Sequence, residues 1–284
     1  MYGPQLLAQT LTIVSEKADQ HGNHWQYHSR GDRHSKVACW GILFDLLLHC
    51  PTLVEHVRKG QVAFGINHEM RDFQQNRKKN LDLVICTPGS AATSKKAPSD
   101  FRALGAKYRI LLPAAAGAAM ESLPMLPEAP VGAVRIALEA KAAMTAHVKA
   151  LPRLHDELNS SHLAIHGASE EALAVGFVMV NIADEFVSPD MNRMLMTSAN
   201  TRVSRHKQPD DALRVVDKVK EIPRKSTTQG TGFDALGIVV VDCRNDCERP
   251  VTIHTAKPAP QPGEIFHYES MIHRLAELYR TRFG

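Results

Sequence analysis

The chain has 284 residues, 44% hydrophobic and 23% charged, which excludes a disordered, collagen-like or coiled-coil protein and leaves a globular chain long enough to bury a sizeable core. Its 34 Lys and Arg against 30 Asp and Glu give a formal charge of +4. That balance is compatible with a polyanionic partner but does not demonstrate one, so local charge has to carry the argument.

Residues Pro4 to Lys17 read as a short amphipathic helix, followed by a polar stretch from Asp19 to Lys36 rich in histidine and arginine. Val37 to His49 is apolar nearly all round, as expected of a helix buried on most sides, and Pro51 follows it. Gln61 to Asn67 and Asn80 to Cys86 read as two strands joined by a long basic turn, residues 68–79. Residues 87–130 are dominated by Pro, Ala, Gly and Ser and read as an insertion with one strand-like piece, Tyr108 to Leu112. Ala133 to Lys141 is the next strand, and Ala142 to Ala150 runs on as a helix that Pro152 kinks or restarts. Ala174 to Ile182 is a continuous apolar run of the kind that buried central strands show. Beyond it lie a basic polar stretch (192–207), a helix (210–220), a strand (235–241) and a terminal helix with Tyr268, Ile272, Leu275 and Tyr279 on one face.

The class is therefore α/β, expected as one domain with a core over residues 35–184 and a C-terminal α/β extension over 190–284. Five cysteines, Cys39, Cys50, Cys86, Cys243 and Cys247, are an odd number, and three of them lie in apolar runs. A reducing, cytoplasmic setting fits them better than a disulfide framework or a zinc knuckle. No leader-like or bilayer-length apolar run is present in the sequence, so no membrane association is expected.

Two of the strands carry charge where apolar residues are the rule. Asp82 stands among Leu81, Leu83, Val84 and Ile85, and an acid inside a core strand costs free energy unless a partner compensates it. Glu139 and Lys141 are two apart on a strand and share a face. Glu139-Ala140-Lys141 is the only acid-x-Lys triplet in the chain. Two carboxylates and a lysine around a hard cation suit the attack of water on a phosphodiester.

The order Asp82, then Glu139-x-Lys141, resembles the signature of the PD-(D/E)XK nuclease superfamily, whose best-known members are the type II restriction endonucleases. The resemblance covers the three motif residues and the order of elements over about residues 35–184. Two departures stand out: Asn80-Leu81 occupies the place where a proline often stands, and Glu139 stands 57 positions after Asp82, a gap that has to hold the insertion. The resemblance implies an αβββαβ core with a central mixed sheet flanked by helices. It also implies Mg2+, with Mn2+ as a substitute, held by Asp82, Glu139 and the backbone carbonyl of Ala140, with Asp45 as an additional candidate ligand and Glu69 as a weaker one. Lys141 would orient the attacking water and either take its proton or neutralise developing charge.

Double-stranded DNA is the implied substrate, and a homodimer follows by analogy with enzymes that cut both strands of a symmetric site. Candidate phosphate contacts are Arg30, Arg33 and Lys36 in the histidine-rich stretch, and Lys78 and Lys79 beside Arg77, with Thr201 to Lys207 as a third group. A repair, junction or mobile-element nuclease would use the same three residues. From another class, a nucleic-acid-binding protein on an α/β scaffold would carry these acids merely as surface residues. A hydrolase of small phosphoesters would leave the basic segments unexplained.

Overall fold

A computed structural model describes residues 1–72, 75–90, 99–197, 199–226 and 230–284. Three helices come first: α1 (Gly3–Thr12), α2 (Arg33–His49) and α3 (Pro51–Arg58). Pro51 occupies the first position of α3, where its missing N–H has no intrahelical partner to lose, so one helix ends and the next begins around it. Strands β1 (Ala63–Asp72) and β2 (Arg77–Pro88) follow, then helices α4 (Phe101–Lys107) and α5 (Ala114–Ser122), strand β3 (Val131–Ala143), helix α6 (His147–Ala168) and strand β4 (Leu173–Asn181). The last third holds a small hairpin of β5 (Glu185–Phe186) and β6 (Ser204–Arg205), then α7 (Asp210–Lys220), β7 (Ala235–Asp242), β8 (Thr252–His254) and α8 (Tyr268–Phe283).

One six-stranded mixed sheet, in the order β1-β2-β3-β4-β7-β8, organises the molecule. β1, β2 and β3 form an antiparallel meander, β3, β4 and β7 run parallel, and β8 closes the far edge antiparallel. Parallel neighbours need crossovers, and α6 and α7 supply them. β4 is buried along its whole length, which is why its sequence is apolar without alternation. Ile136 and Leu138 of β3 belong to the core on one side of the sheet, which Leu7 of α1, Phe44 of α2 and Leu275 of α8 share, whereas Ala137 belongs to the core on the other side, with Leu158 of α6 and Val215 of α7. The helix α2 is buried on nearly every side, as its apolar run from Val37 to Leu48, interrupted by Asp45, requires.

Several boundaries differ from the sequence reading. The first helix stops at Thr12, where Ile13 turns extended. Much of the basic connection 68–79 is strand: β1 continues to Asp72 and β2 starts at Arg77, so both strands run beyond the ends expected from the sequence. Tyr108 to Leu112 is not a strand. Asp100 caps α4 by accepting the Ala103 N–H at 2.8 Å, α4 buries Phe101 against Trp40 with ring centroids 4.5 Å apart, and Arg109 leaves the helix with a φ of 54°. The alanine run forms α5, in keeping with the helix preference of that residue. β3 extends to Ala143, the helix behind it starts only at His147, and Pro152 falls in its second turn without ending it. The C-terminal segment adds β7 and β8 to the same sheet. Among the described residues no single helix is long and apolar enough to cross a membrane.

Candidate functional site

The sheet parts at Asp82. The β2–β3 ladder runs as far as Leu83 opposite Leu138 and stops there, while β3 continues to Ala143 and β2 stays with β1. In the β1–β2 ladder Ile66 pairs with Leu83 and His68 with Leu81, but Asn67 and Asp82 between them form no ladder pair, and Asn67 has a left-handed φ of 51°. The break turns both strands over. Leu83 and Ile85 lie in the core on the α2 side and Leu81 in the core on the α6 side, although residues two apart on a regular strand share a face.

Into this parting points the Asp82 carboxylate. Its Oδ2 accepts the Ala140 N–H at 3.0 Å; its Oδ1 accepts the Ser35 hydroxyl at 2.8 Å and the Lys36 ammonium at 2.9 Å. Lys36 also donates to the Asp82 carbonyl at 2.9 Å. The N–H and C=O of one strand residue leave on the same edge, so the Ala140 carbonyl opens onto the same gap. Glu139, 2% exposed, sits on the α6 side of that gap; its Oε1 meets Lys141 Nζ at 2.8 Å and Lys79 Nζ at 3.5 Å. Its Oε2 is buried with no hydrogen-bond partner among the described residues. Lys141 is held from the other side by Glu157 Oε2 of α6 at 3.3 Å, and Arg153 one turn earlier grips Glu157 Oε1 at 2.6 Å.

The two acids are tuned in opposite directions. Burial alone would raise Asp82, but the Lys36 charge and the Ala140 N–H outweigh it and hold the carboxyl below its usual value. Burial raises Glu139, with the Lys141 charge opposing and the Asp82 charge adding to it. For Lys141 burial works downward, but the Glu139 carboxylate prevails and the ammonium is raised, so it stays charged at neutral pH. Burial also pushes His34, at the start of α2, down to about 4, against the pull of Asp82, which leaves its ring neutral beside the site.

The sequence candidates divide into three groups. Asp82, Glu139, the Ala140 backbone and Lys141 come together. Lys36 and Lys79, read as phosphate contacts, belong to this cluster instead: Lys36 is 2% exposed and Lys79 15%, each with its ammonium on a site carboxylate, so neither is a free surface cation. The third group lies elsewhere. Asp45 is no ligand here, because its carboxylate takes the Tyr2 and Gly3 N–H groups at 2.7 Å each and the Tyr268 hydroxyl at 2.9 Å, fully buried at the start of α1. It sits nine residues beyond Lys36 on α2, about 13 Å along the axis. Arg33 donates to the Thr10 and Ile13 carbonyls at the end of α1, Lys78 pairs with Glu69 at 3.1 Å, and Arg30 lies 3.5 Å from Asp190 on the surface. Arg205 lies 3.8 Å from Glu185, and His206 bonds the Ala183 carbonyl at 2.8 Å.

Three members were not read from the sequence as site residues. Ser35 and Glu157 are brought in by helix packing and carry no motif, and His34 was legible only as part of a histidine-rich stretch.

Among the described residues no group of three or more His, Cys, Asp or Glu converges as a metal-ligand set. A cation would therefore rest on two carboxylates, the Ala140 carbonyl and water. The buried, unpartnered Glu139 Oε2 fits that role, since a carboxylate oxygen without a donor is costly to bury. Asp82 fits less freely because Lys36 already holds its Oδ1. A cavity of about 700 Å³ opens at the start of α2, lined by Trp25, Tyr27, Arg30, Arg33 and His34 among others. Comparison of the chain with protein families, with curated proteins and with solved structures finds no match.

Proposed function

We propose that the chain is a Mg2+-dependent endonuclease of the PD-(D/E)XK type that hydrolyses phosphodiester bonds in double-stranded DNA, most simply as a site-specific, restriction-like enzyme acting as a homodimer. One observation carries the reading: the β2–β3 strands separate at the position that seats Asp82 on the backbone of Ala140, between Glu139 and Lys141, with one Glu139 oxygen buried and unpartnered. The succession α2, α3, β1, β2, α4, α5, β3, α6, β4, with β3 and β4 parallel, supports it, because it gives the αβββαβ order once the short α3 and the inserted α4 and α5 are set aside.

Asp82, Glu139 and the Ala140 carbonyl would hold Mg2+, with Mn2+ as a substitute; when bound, the ion lowers the pKa of water and draws charge from the phosphoryl oxygens. Lys141, its ammonium held beside the Glu139 carboxylate, would orient the attacking water and either take its proton or offset charge building on the transition state. Glu139 and Glu157, from opposite sides, fix where that ammonium stands. Lys36 and Ser35 hold the Asp82 carboxylate ionised and aimed into the gap. A repair, junction or mobile-element nuclease would use the same groups. A second reading has an observation of its own. Lys36, Lys79 and Lys141 face Asp82, Glu139 and Glu157, so the cluster already balances its charges, as a structural network in a non-catalytic nucleic-acid-binding protein would.

Incubating the purified protein with a mixed-sequence plasmid, with Mg2+ or with a chelator, separates the readings. Discrete Mg2+-dependent fragments support the restriction-like enzyme and a smear supports a general nuclease. Intact plasmid at all metal conditions, with the DNA bound, favours the binding protein.

A further inference from the structure

Between β5 and β6 the chain runs out through a loop that is built inside out. Asn192, 5% exposed, joins its two arms: Oδ1 accepts the Arg202 N–H at 2.7 Å, and Nδ2 donates to the Arg202 carbonyl at 2.8 Å and the Ser188 carbonyl at 2.9 Å. Asn23, equally buried on the N-terminal segment, donates to the Met194 carbonyl at 2.9 Å and accepts the Met196 N–H at 2.8 Å. Asn200 accepts the Thr197 N–H at 2.8 Å. Three buried or turn-forming amides thus fix the backbone without using the loop's apolar side chains. Those side chains point outward: Met194 is 67% and Leu195 62% exposed, with Met191 and Val203 exposed beside them. A loop whose described backbone is hydrogen-bonded to buried amides while long apolar side chains stand in water has the form of a surface made for a partner.

The charge around the tip indicates which partner. Residues 188–207 carry Arg193, Arg202, Arg205 and Lys207 against a single acid, Asp190. Pro189, Asp190 and Arg193 also line the cavity at the start of α2, which Arg30, Arg33 and His34 share. His34 in turn precedes Ser35, whose hydroxyl donates to Asp82 at 2.8 Å. The loop therefore borders a cavity whose His34 wall stands next to Ser35 of the site. A stable protein interface buries on the order of 800 Å² per partner, far more than two projecting side chains cover, whereas an apolar wedge of one or two residues flanked by arginines is the size that enters a base step.

We propose that this loop is a wedge for duplex DNA: Met194 and Leu195 enter between adjacent base pairs and partly unstack them, while Arg193 and Arg202 lie along the flanking phosphates. The proposal rests on the nuclease reading, which is what brings a duplex to this cavity. The wedge would select steps that unstack easily, giving sequence preference without hydrogen bonds to base edges.

The test uses the full chain without divalent metal and a set of duplexes carrying 2-aminopurine at successive positions, so that binding and unstacking are read independently of cleavage. The wild type is expected to raise 2-aminopurine fluorescence at one or a few positions on binding. Met194→Ser/Leu195→Ser is expected to abolish that rise and weaken binding about tenfold, as loss of two buried apolar groups implies, with the salt dependence unchanged because the arginines remain. Asn23→Ala, which keeps the wedge residues but frees the loop, is expected to reduce the rise. Binding with no fluorescence change, or a change that survives the double substitution, overturns the wedge and leaves the nuclease reading standing. No duplex binding by the wild type, together with no cleavage in Mg2+, overturns both. Self-association in sedimentation that the double substitution removes reassigns the patch to a second copy of the chain and overturns the wedge.

Discussion

Replacing Lys36 with methionine is the sharpest test of how the site is held. Lys36 is 2% exposed, and its ammonium bonds Asp82 twice, at Oδ1 at 2.9 Å and at the carbonyl at 2.9 Å. Removing one partner of a buried pair costs about 3–5 kcal/mol, because the charge left behind has lost its compensation. Asp82 is 16% exposed and keeps the Ser35 hydroxyl and the Ala140 N–H, so the loss belongs at the low end, about 3 kcal/mol at neutral pH. The sign with pH follows from the lowered Asp82 carboxyl. A carboxyl depressed in the folded state contributes stability above its unfolded value, near pH 4, and loses it as the pH falls through the folded one. The deficit of Lys36→Met should therefore be full at pH 7 and shrink below about pH 4, where the partner is becoming neutral. Urea denaturation at both pH values measures it, and a double-mutant cycle with Asp82→Asn should return a coupling above about 1 kcal/mol. A loss under about 1 kcal/mol that is the same at both pH values, with additive single substitutions, would refute the reasoning.

Three further outcomes are expected. Millimolar Mg2+ should raise the unfolding midpoint of the wild type but not of Glu139→Gln, whose amide no longer offers an anionic oxygen at the unpartnered position; an equal rise in both would place the ion elsewhere. Asp45→Asn should cost about 2 kcal/mol in denaturant unfolding, since a buried carboxylate with three donors becomes an amide with one oxygen, yet leave Mg2+-dependent cleavage by the folded protein unchanged. A loss of cleavage in the stable variant would return Asp45 to the site. Lys78→Ala should change stability by less than about 0.5 kcal/mol, because its pair with Glu69 is half exposed; a larger loss on denaturation would contradict the surface placement.

What was legible in the sequence was what local pattern decides. The apolar run of β4 from Leu173 to Val180 announces a strand covered on both faces, and the two-residue spacing of Glu139 and Lys141 puts them on one face of β3. The hairpin was half legible: β1 and β2 alternate in burial through residues 68–72 and 77–81, but their charged residues resemble a turn. The partners were beyond reach, because they depend on contacts between distant segments. Lys36 lies 46 residues from Asp82, and Asp45 meets Tyr268 across 223. A lysine and an aspartate on one apolar helix read as a surface contact and a possible ligand. In the fold they are, respectively, the counterion of Asp82 and the anchor of α1. The turnover of both strands at Asn67 and Asp82 left no mark in the alternation that could be told from a strand end.

The most direct measurement is cleavage of a linear duplex in Mg2+ by the wild type and Lys141→Met, with binding of the same duplex followed in Ca2+. Lys141 is predicted to act on the reaction and not as a DNA anchor. The wild type should therefore cut, and the variant should bind within about threefold of the wild type while its cleavage falls by a factor on the order of a hundred or more. Cleavage by Lys141→Met at the wild-type rate, or no metal-dependent cleavage by a wild type that binds the duplex, would contradict the account.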